Sequence, residues 1–190
     1  MMSALMPNRI HILGASGSGT TTLGKALAQR LTLRHFDTDD YFWRPTAPPF
    51  QHKLRRAERQ ALLEADLGRH HGRHHGWVLS GSLCGWGDMF IPLFDLVVFL
   101  WVPREIRLAR LRERERERYG DEAIALGGPL YDETNRFLAW AAAYDDGGLE
   151  IRSRQLHEEW LRRIPCPVLR LMGAEPTGAQ LAEITKALSS

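Results

Sequence analysis

The nine residues Gly14-Ala-Ser-Gly-Ser-Gly-Thr-Thr-Thr22 combine three glycines with a run of hydroxyl side chains. Glycines at this spacing let the backbone turn sharply and bring successive N–H groups to one point, an arrangement suited to cradling phosphate. Within the loop, which includes Ser16 and Thr22, Gly17, Ser18, Gly19, Thr20 and Thr21 would present amides, and the Thr21 hydroxyl stands where a magnesium ligand belongs. The spacing fits Gly-x4-Gly-Lys-Ser/Thr at every fixed position but one, because Thr20 stands where the lysine belongs.

A second group able to do chemistry is Asp37, Asp39 and Asp40. Three carboxylates at the C-terminal end of a short strand suit a magnesium ion held through water, or a substrate hydroxyl; the same residues also suit a solvated helix-capping turn. A third group is the run Arg-Glu-Arg-Glu-Arg-Glu-Arg at 112–118. On a helix it pairs opposite charges at i,i+3 (Glu113 with Arg116, Glu115 with Arg118) and repeats like charges at i,i+4 through Arg110, Arg114 and Arg118. That row of arginines makes sense if an anion lies across it. The interleaved glutamates argue against a nucleic-acid surface. The run Arg69-His-His-Gly-Arg-His-His-Gly76 lacks a carboxylate or cysteine to complete a metal set and reads as a surface connector.

The elements that must position these groups follow from hydrophobic pattern. Ile10, Ile12 and Leu13 form a short buried strand before the glycine loop, and Leu23, Ala26, Leu27 and Leu31 give helical spacing from about Thr20. A second strand covers 34–37 and carries the carboxylates at its C-terminal end. Residues 41–50, aromatic and proline-rich, suit a non-helical flap, with Trp43 as one wall of a pocket or part of a satellite cluster. A helix follows from 53 to about 67. Strands come next at 77–81 and 95–102, then a helix from Pro103 to about Tyr119. Helices at 131–144 and 149–163, a last strand at 168–171 and a terminal helix complete the chain. Five strands alternating with helices predict a parallel sheet covered on both faces. In such sheets ligands bind at the C-terminal strand edge, which would bring Asp37 and Asp39 beside the glycine loop.

The 190 residues suit one α/β domain, and the net charge of +2 leaves no electrostatic footprint for nucleic acid. Only Lys25, Lys53 and Lys186 of the 25 basic residues are lysines. Cys84 and Cys166 are too few for a disulfide framework, and residues 1–7 are too short for a signal peptide. The longest apolar run, 96–102, has the length of a strand rather than a membrane span. The expectation is a cytoplasmic protein with no membrane association.

The chain resembles the P-loop kinases related to adenylate kinase, nearest to shikimate and gluconate kinases and the topology-modulation proteins. The residues that carry the resemblance are Gly14–Thr22, Asp37-x-Asp39, Gly81 after the third strand, Val102-Pro103, Arg110 and Arg114 beyond it, and Gly173-x-x-Pro176. It implies a three-layer P-loop NTPase fold: a five-stranded parallel sheet, helices on both faces, and a small helical lid over about 104–145. A substrate-binding insertion would span about 41–70. It implies ATP and Mg2+, with Thr21 and Asp37 on the metal and Ala174 and Glu175 presenting backbone to the base. Arg110 would cover the adenine and Arg114 would reach phosphate. Asp39 would bind the acceptor hydroxyl, in a site completed by Asp37, Trp43, Gly81 and Trp86.

Two positions depart from that pattern: Thr20 replaces the loop lysine, and Ser80 replaces an aspartate before the third-strand glycine. Two functional expectations result. One is an ATP-dependent kinase for a small-molecule or nucleotide acceptor, with Asp39 orienting the hydroxyl and Arg110 and Arg114 stabilising charge. The other is a nucleotide-binding sensor with little or no phosphoryl transfer.

Overall fold

The computed structural model describes residues 8–47, 49–68 and 76–189. The histidine-rich run at 69–75 and the first seven residues lie outside them. The chain begins with β1 (Arg9–Gly14), α1 (Thr20–Leu31), β2 (Arg34–Asp37), α2 (Thr38–Phe42) and α3 (Arg56–Gly68). It continues with β3 (Trp77–Ser80), a 3-10 helix (Asp88–Leu93), β4 (Leu96–Trp101), α4 (Arg104–Tyr119) and α5 (Asp121–Ile124). It closes with α6 (Tyr131–Ala142), α7 (Arg154–Leu161), β5 (Val168–Met172) and α8 (Thr177–Leu188).

The sheet is five-stranded and wholly parallel in the order β2-β3-β1-β4-β5. Strand alternation sorts the core into two layers. Ile10, Ile12, Val78, Leu96, Val98 and Leu100 face Leu23 and Leu27 of α1 and Ile184 and Leu188 of α8. Leu13, Leu79, Val97 and Phe99 face Leu63 and Leu67 of α3 and Trp160 and Leu161 of α7. Both faces are therefore dry, which is why β1 and β4 read as continuous apolar runs rather than alternating ones.

One polar residue breaks that rule. His11 on β1 is fully buried, stacked on Phe94 at 4.9 Å, with Nδ1 3.1 Å from the Leu79 carbonyl. Burial pushes its pKa down to about 3, so the ring is neutral.

Local differences from the expected boundaries have local causes. The flap was expected to be non-helical from Tyr41, yet α2 includes Tyr41 and Phe42 because the Asp37 carboxylate accepts from the Asp39 amide and caps that helix. The last helix before β5 starts at Arg154, not 149, because Ser153 caps it through the Leu156 amide. The connection between α4 and α6 contains the short α5. Cys84 and Cys166 are both free. Among the described residues no helix is long and apolar enough to cross a membrane.

Gly24 marks a tight contact between α1 and the sheet. A Cβ there would lie 2.0 Å from Ser80 Oγ and 2.8 Å from His35 Nε2. Gly24→Ala is expected to destabilise the fold by about 1–3 kcal/mol, the usual range for overpacking, as read by the urea midpoint. An unchanged midpoint would show that α1 can move off the sheet freely.

Candidate active site

Three strand ends build the site. β1 leads into the glycine loop, β2 ends at Asp37, and β3 ends at Ser80, all on the C-terminal edge of the sheet. Gly17 and Gly19 take φ of 80° and 93°, the left-handed region that L side chains resist. Gly19 is the N-cap of α1, and no side chain caps this helix. Its first amides and its positive dipole end thus face the loop, the arrangement that binds anions.

The Thr21 hydroxyl donates to Asp37 Oδ2 at 2.6 Å. The two residues expected to share a metal, one from a helix start and one from a strand end 16 residues away, are therefore in contact. Among the described residues no cluster of three or more His, Cys, Asp or Glu side chains could hold a metal.

Asp39 follows within one turn. Water reaches its carboxylate, yet protein crowds it on a wider radius, and this crowding together with the Asp37 charge raises its pKa. Arg152 and Arg114 act against the rise. Two arginines from outside the sheet therefore bear on one carboxylate, Arg114 from α4 and Arg152 from the turn before α7.

The lid arginines divide into two kinds. Arg110 reaches from α4 to the Gly17 and Ser18 carbonyls, both at 3.4 Å, and to the Gly173 carbonyl at 3.2 Å. It so joins the glycine loop to the turn holding Ala174 and Glu175, which are exposed. The rest of the row is not unrelieved, contrary to expectation. Arg114 and Arg118 each donate to Glu115 at 3.2 Å, and Arg116 pairs with Glu113 at 2.8 Å and with Asp121 at 2.8 Å. Neighbouring glutamates meet most of that charge, Arg114's included, so the argument for an anion rests chiefly on Arg110, whose partners are all carbonyls. Arg114 also lies 5.6 Å from the Phe137 ring.

The departures have structural consequences. Ser80 Oγ donates to the Thr20 carbonyl at 3.0 Å and lies 2.9 Å from His35 Nε2. It fastens the start of α1 to β3 and is itself fully buried. Thr20 is the first residue of α1, half-buried beside the loop.

Other expected acceptor residues are placed differently. Gly81 takes φ of 102°, its amide donates to the Ile12 carbonyl at 2.9 Å, and a Cβ would lie 1.8 Å from Thr38 Oγ1. Its role visible in the structure is to let α2 close on the β3 end. Trp86 was expected to line the acceptor site, but its ring is 3 % exposed and belongs to the core. Its indole N–H donates to the Ser82 carbonyl at 3.1 Å, because an indole buried this deeply needs a partner. Trp43 is half-buried in the flap, 5.1 Å from Phe42 and 5.9 Å from Phe50, with the Lys53 ammonium 5.6 Å from its ring. Ser16 is half-buried at the loop and Thr22 points outward on α1.

Behind the site runs a buried polar chain that pattern reading missed. Tyr144 OH lies 2.9 Å from His157 Nδ1, and His157 Nε2 lies 3.1 Å from Ser82 Oγ. His157 is fully buried and its pKa is pushed down to about 3 by that burial, with the Arg152 charge acting in the same sense. The three residues are 82, 144 and 157, too far apart in sequence for any spacing rule. Arg107 was also missed, although a signal existed: Arg107, Leu111 and Glu115 recur every four residues and form the buried stripe of α4.

Residues 10–127 match a family model described as AAA domain. The chain is 52% identical over 166 residues to the uncharacterized protein YqaC of Bacillus subtilis (strain 168), covering 87% of this chain and 89% of that one. It is 29% identical over 152 residues to a shikimate kinase of Thermosynechococcus vestitus, covering 75% and 79% of the two. The fold is similar to the crystal structure of shikimate kinase from Bacteroides thetaiotaomicron, with a TM-score of 0.53 at 19% identity over 96% of this chain and 99% of that one.

Proposed function

The chain belongs to this AAA domain family as a P-loop kinase domain, and from that premise we propose that it transfers phosphate from ATP to a hydroxyl on a small-molecule acceptor. The observation that carries the reading is the Thr21–Asp37 contact at 2.6 Å, at the uncapped start of α1 and one turn from Asp39. Metal-side and acceptor-side carboxylates are thus adjacent. A bound nucleotide with magnesium would supply the transferable phosphate.

The chain's own residues supply the rest. The amides of 16–21 and the α1 dipole hold phosphate, Thr21 and Asp37 hold the metal, and Arg110 and Arg114 offset charge on the phosphates. Ala174 and Glu175 border the base, and Arg110 covers it. Asp39 orients the acceptor hydroxyl and takes its proton. Phosphoryl transfer depends chiefly on positioning and charge stabilisation, so these groups suffice in kind without a loop lysine. The small-molecule acceptor is favoured by the likeness in sequence to a shikimate kinase.

A second reading, a nucleotide sensor without efficient transfer, is favoured by one observation. Ser80 Oγ is engaged by His35 and the Thr20 carbonyl, so the Ser80 hydroxyl is taken up by the fold and does not replace the missing aspartate on the metal. The deciding experiment measures ATP binding with and without magnesium, together with ADP release across a panel of hydroxyl-bearing acceptors. Binding with acceptor-dependent ADP release supports the kinase. Binding with no release under any acceptor supports the sensor, and no binding at all removes both.

Thr20→Lys is expected to tighten ATP binding by about 10- to 100-fold, since a charge-assisted hydrogen bond contributes roughly 1.5–3 kcal/mol. Titration calorimetry reads this directly. An affinity within twofold of wild type would show that another cation already serves the position.

A further inference from the structure

Arg107 is the largest fully buried side chain described and carries a charge. Its Nε donates to the Val102 carbonyl at 3.1 Å, its Nη1 to the Ala141 carbonyl at 3.2 Å, and its Nη2 to the Asp145 carboxylate. The guanidinium also lies 5.0 Å from the Tyr144 ring. Ala141 sits in the last turn of α6, where helix carbonyls lack partners and the dipole end is negative. Arg104 adds a second tie to Asp145 at 3.4 Å and another to Asp146. The start of α4 is so bolted to the end of α6 by one planar fork.

The other side of the same residue touches the glycine loop. A Cβ on Gly17 would lie 2.7 Å from the Arg107 carbonyl oxygen and 3.0 Å from Leu111 Cγ. The loop therefore turns against a wall made by the Arg107 backbone and the Leu111 side chain. Burying a guanidinium is costly unless its donors are met, and the three acceptors meet them only in this arrangement of α4 and α6. With Thr20 in place of lysine, the loop's hold on phosphate rests on amide direction, which is sensitive to small displacements.

We infer that Arg107 is a positioning residue for nucleotide binding: by locking α4 to α6 it fixes the wall that shapes the phosphate loop at Gly17. The inference rests on the nucleotide-binding part of the reading above. It places the moving part of any lid beyond Leu111, because the first two turns of α4 are held.

The test measures affinity for a non-hydrolysable ATP analogue with magnesium in wild type, R107K, D145N, G17A and the R107K/G17A double variant. Urea unfolding establishes that each is folded under the assay conditions. A lysine has no planar fork and cannot meet three acceptors at once. R107K is expected to weaken binding by about tenfold or more, and D145N by about three- to tenfold although Asp145 belongs to no phosphate contact. G17A should weaken binding as well, and the double variant should lose clearly less than the product of the two single losses, because both release the same wall. A purely structural role for Arg107 predicts multiplicative losses or none. Affinities of R107K and D145N within twofold of wild type, or full multiplicativity in the cycle, overturn the inference. Should R107K fail to fold, D145N decides by the same twofold criterion. If wild type does not bind the analogue, the nucleotide-binding reading fails and takes this inference with it; if wild type binds and the variants match it, this inference alone fails.

Discussion

Asp39→Asn is expected to lower kcat/KM for the acceptor by about 10²–10⁴-fold, the usual worth of positioned proton transfer, while ATP affinity changes by less than about threefold. The substitution is nearly isosteric and leaves the Asp39 amide free to donate to Asp37 Oδ1, as it does at 3.0 Å, so α2 keeps its cap. Asn cannot take the acceptor's proton, which isolates that role. Asp37→Asn is the matched control. It preserves capping, since Asn caps as well as Asp, but weakens the magnesium side of the site, so its loss should appear in the magnesium dependence of turnover. Crowding and the Asp37 charge raise the Asp39 pKa. The ionised form is the active one, so the acid limb of the pH–rate profile should lie above the range of an ordinary aspartate. Steady-state ADP release under an identified acceptor reads all three quantities. Wild-type turnover by Asp39→Asn would remove Asp39 from the acceptor site.

Acid is expected to unfold the protein well before its carboxylates titrate fully. His11 and His157 have pKa pushed down to about 3 by burial, against 6.5 unperturbed. In the folded state they stay neutral between pH 6.5 and 3, while the unfolded chain takes up protons on both below 6.5. Unfolding therefore binds protons in that window, and stability rises with pH across it. The full contribution is present above pH 6.5 and is lost as pH falls toward 3. Each ring changes stability by up to about 1.4 kcal/mol per pH unit, so the pair gives about 2.7 kcal/mol per unit between pH 6 and 4. The half-buried His35, whose pKa is also lowered by burial, acts in the same direction. Urea midpoints at half-unit intervals measure the slope, and His11→Leu should remove about half of it. Equal midpoints at pH 7 and 5 would mean that both rings accept protons within the fold.

Both predictions concern residues that the sequence exposes unequally. Asp39 is visible because it follows a strand that must end beside the glycine loop; His157 is visible only in three dimensions. The same contrast runs through α4. Arg110 and Arg114 stand out through the resemblance to the lid helix of the P-loop kinases, whereas Arg107, which the fold buries, lies among other arginines and is distinguished only by sharing a stripe with Leu111 and Glu115.

The sequence by itself determined the five strands, their parallel arrangement, the phosphate loop, and the adjacency of Asp37 to that loop. These follow from local and periodic information: glycine spacing, strand-length apolar runs, and the rule that ligands gather at the C-terminal edge of a parallel sheet. Tertiary structure alone decided where a side chain's partners come from. Trp86 lies in the core because the 82–87 loop folds inward onto α3 and the 3-10 helix, which no pattern in that loop announces. Ser80 became a fastener between α1 and β3 because Gly24 lets the helix approach, a contact between residues 56 positions apart. Tyr144, His157 and Ser82 meet only because α6, α7 and β3 converge behind the site. Burial and hydrogen bonding are properties of position in space, and a sequence encodes that position through the whole fold rather than through any neighbourhood of residues.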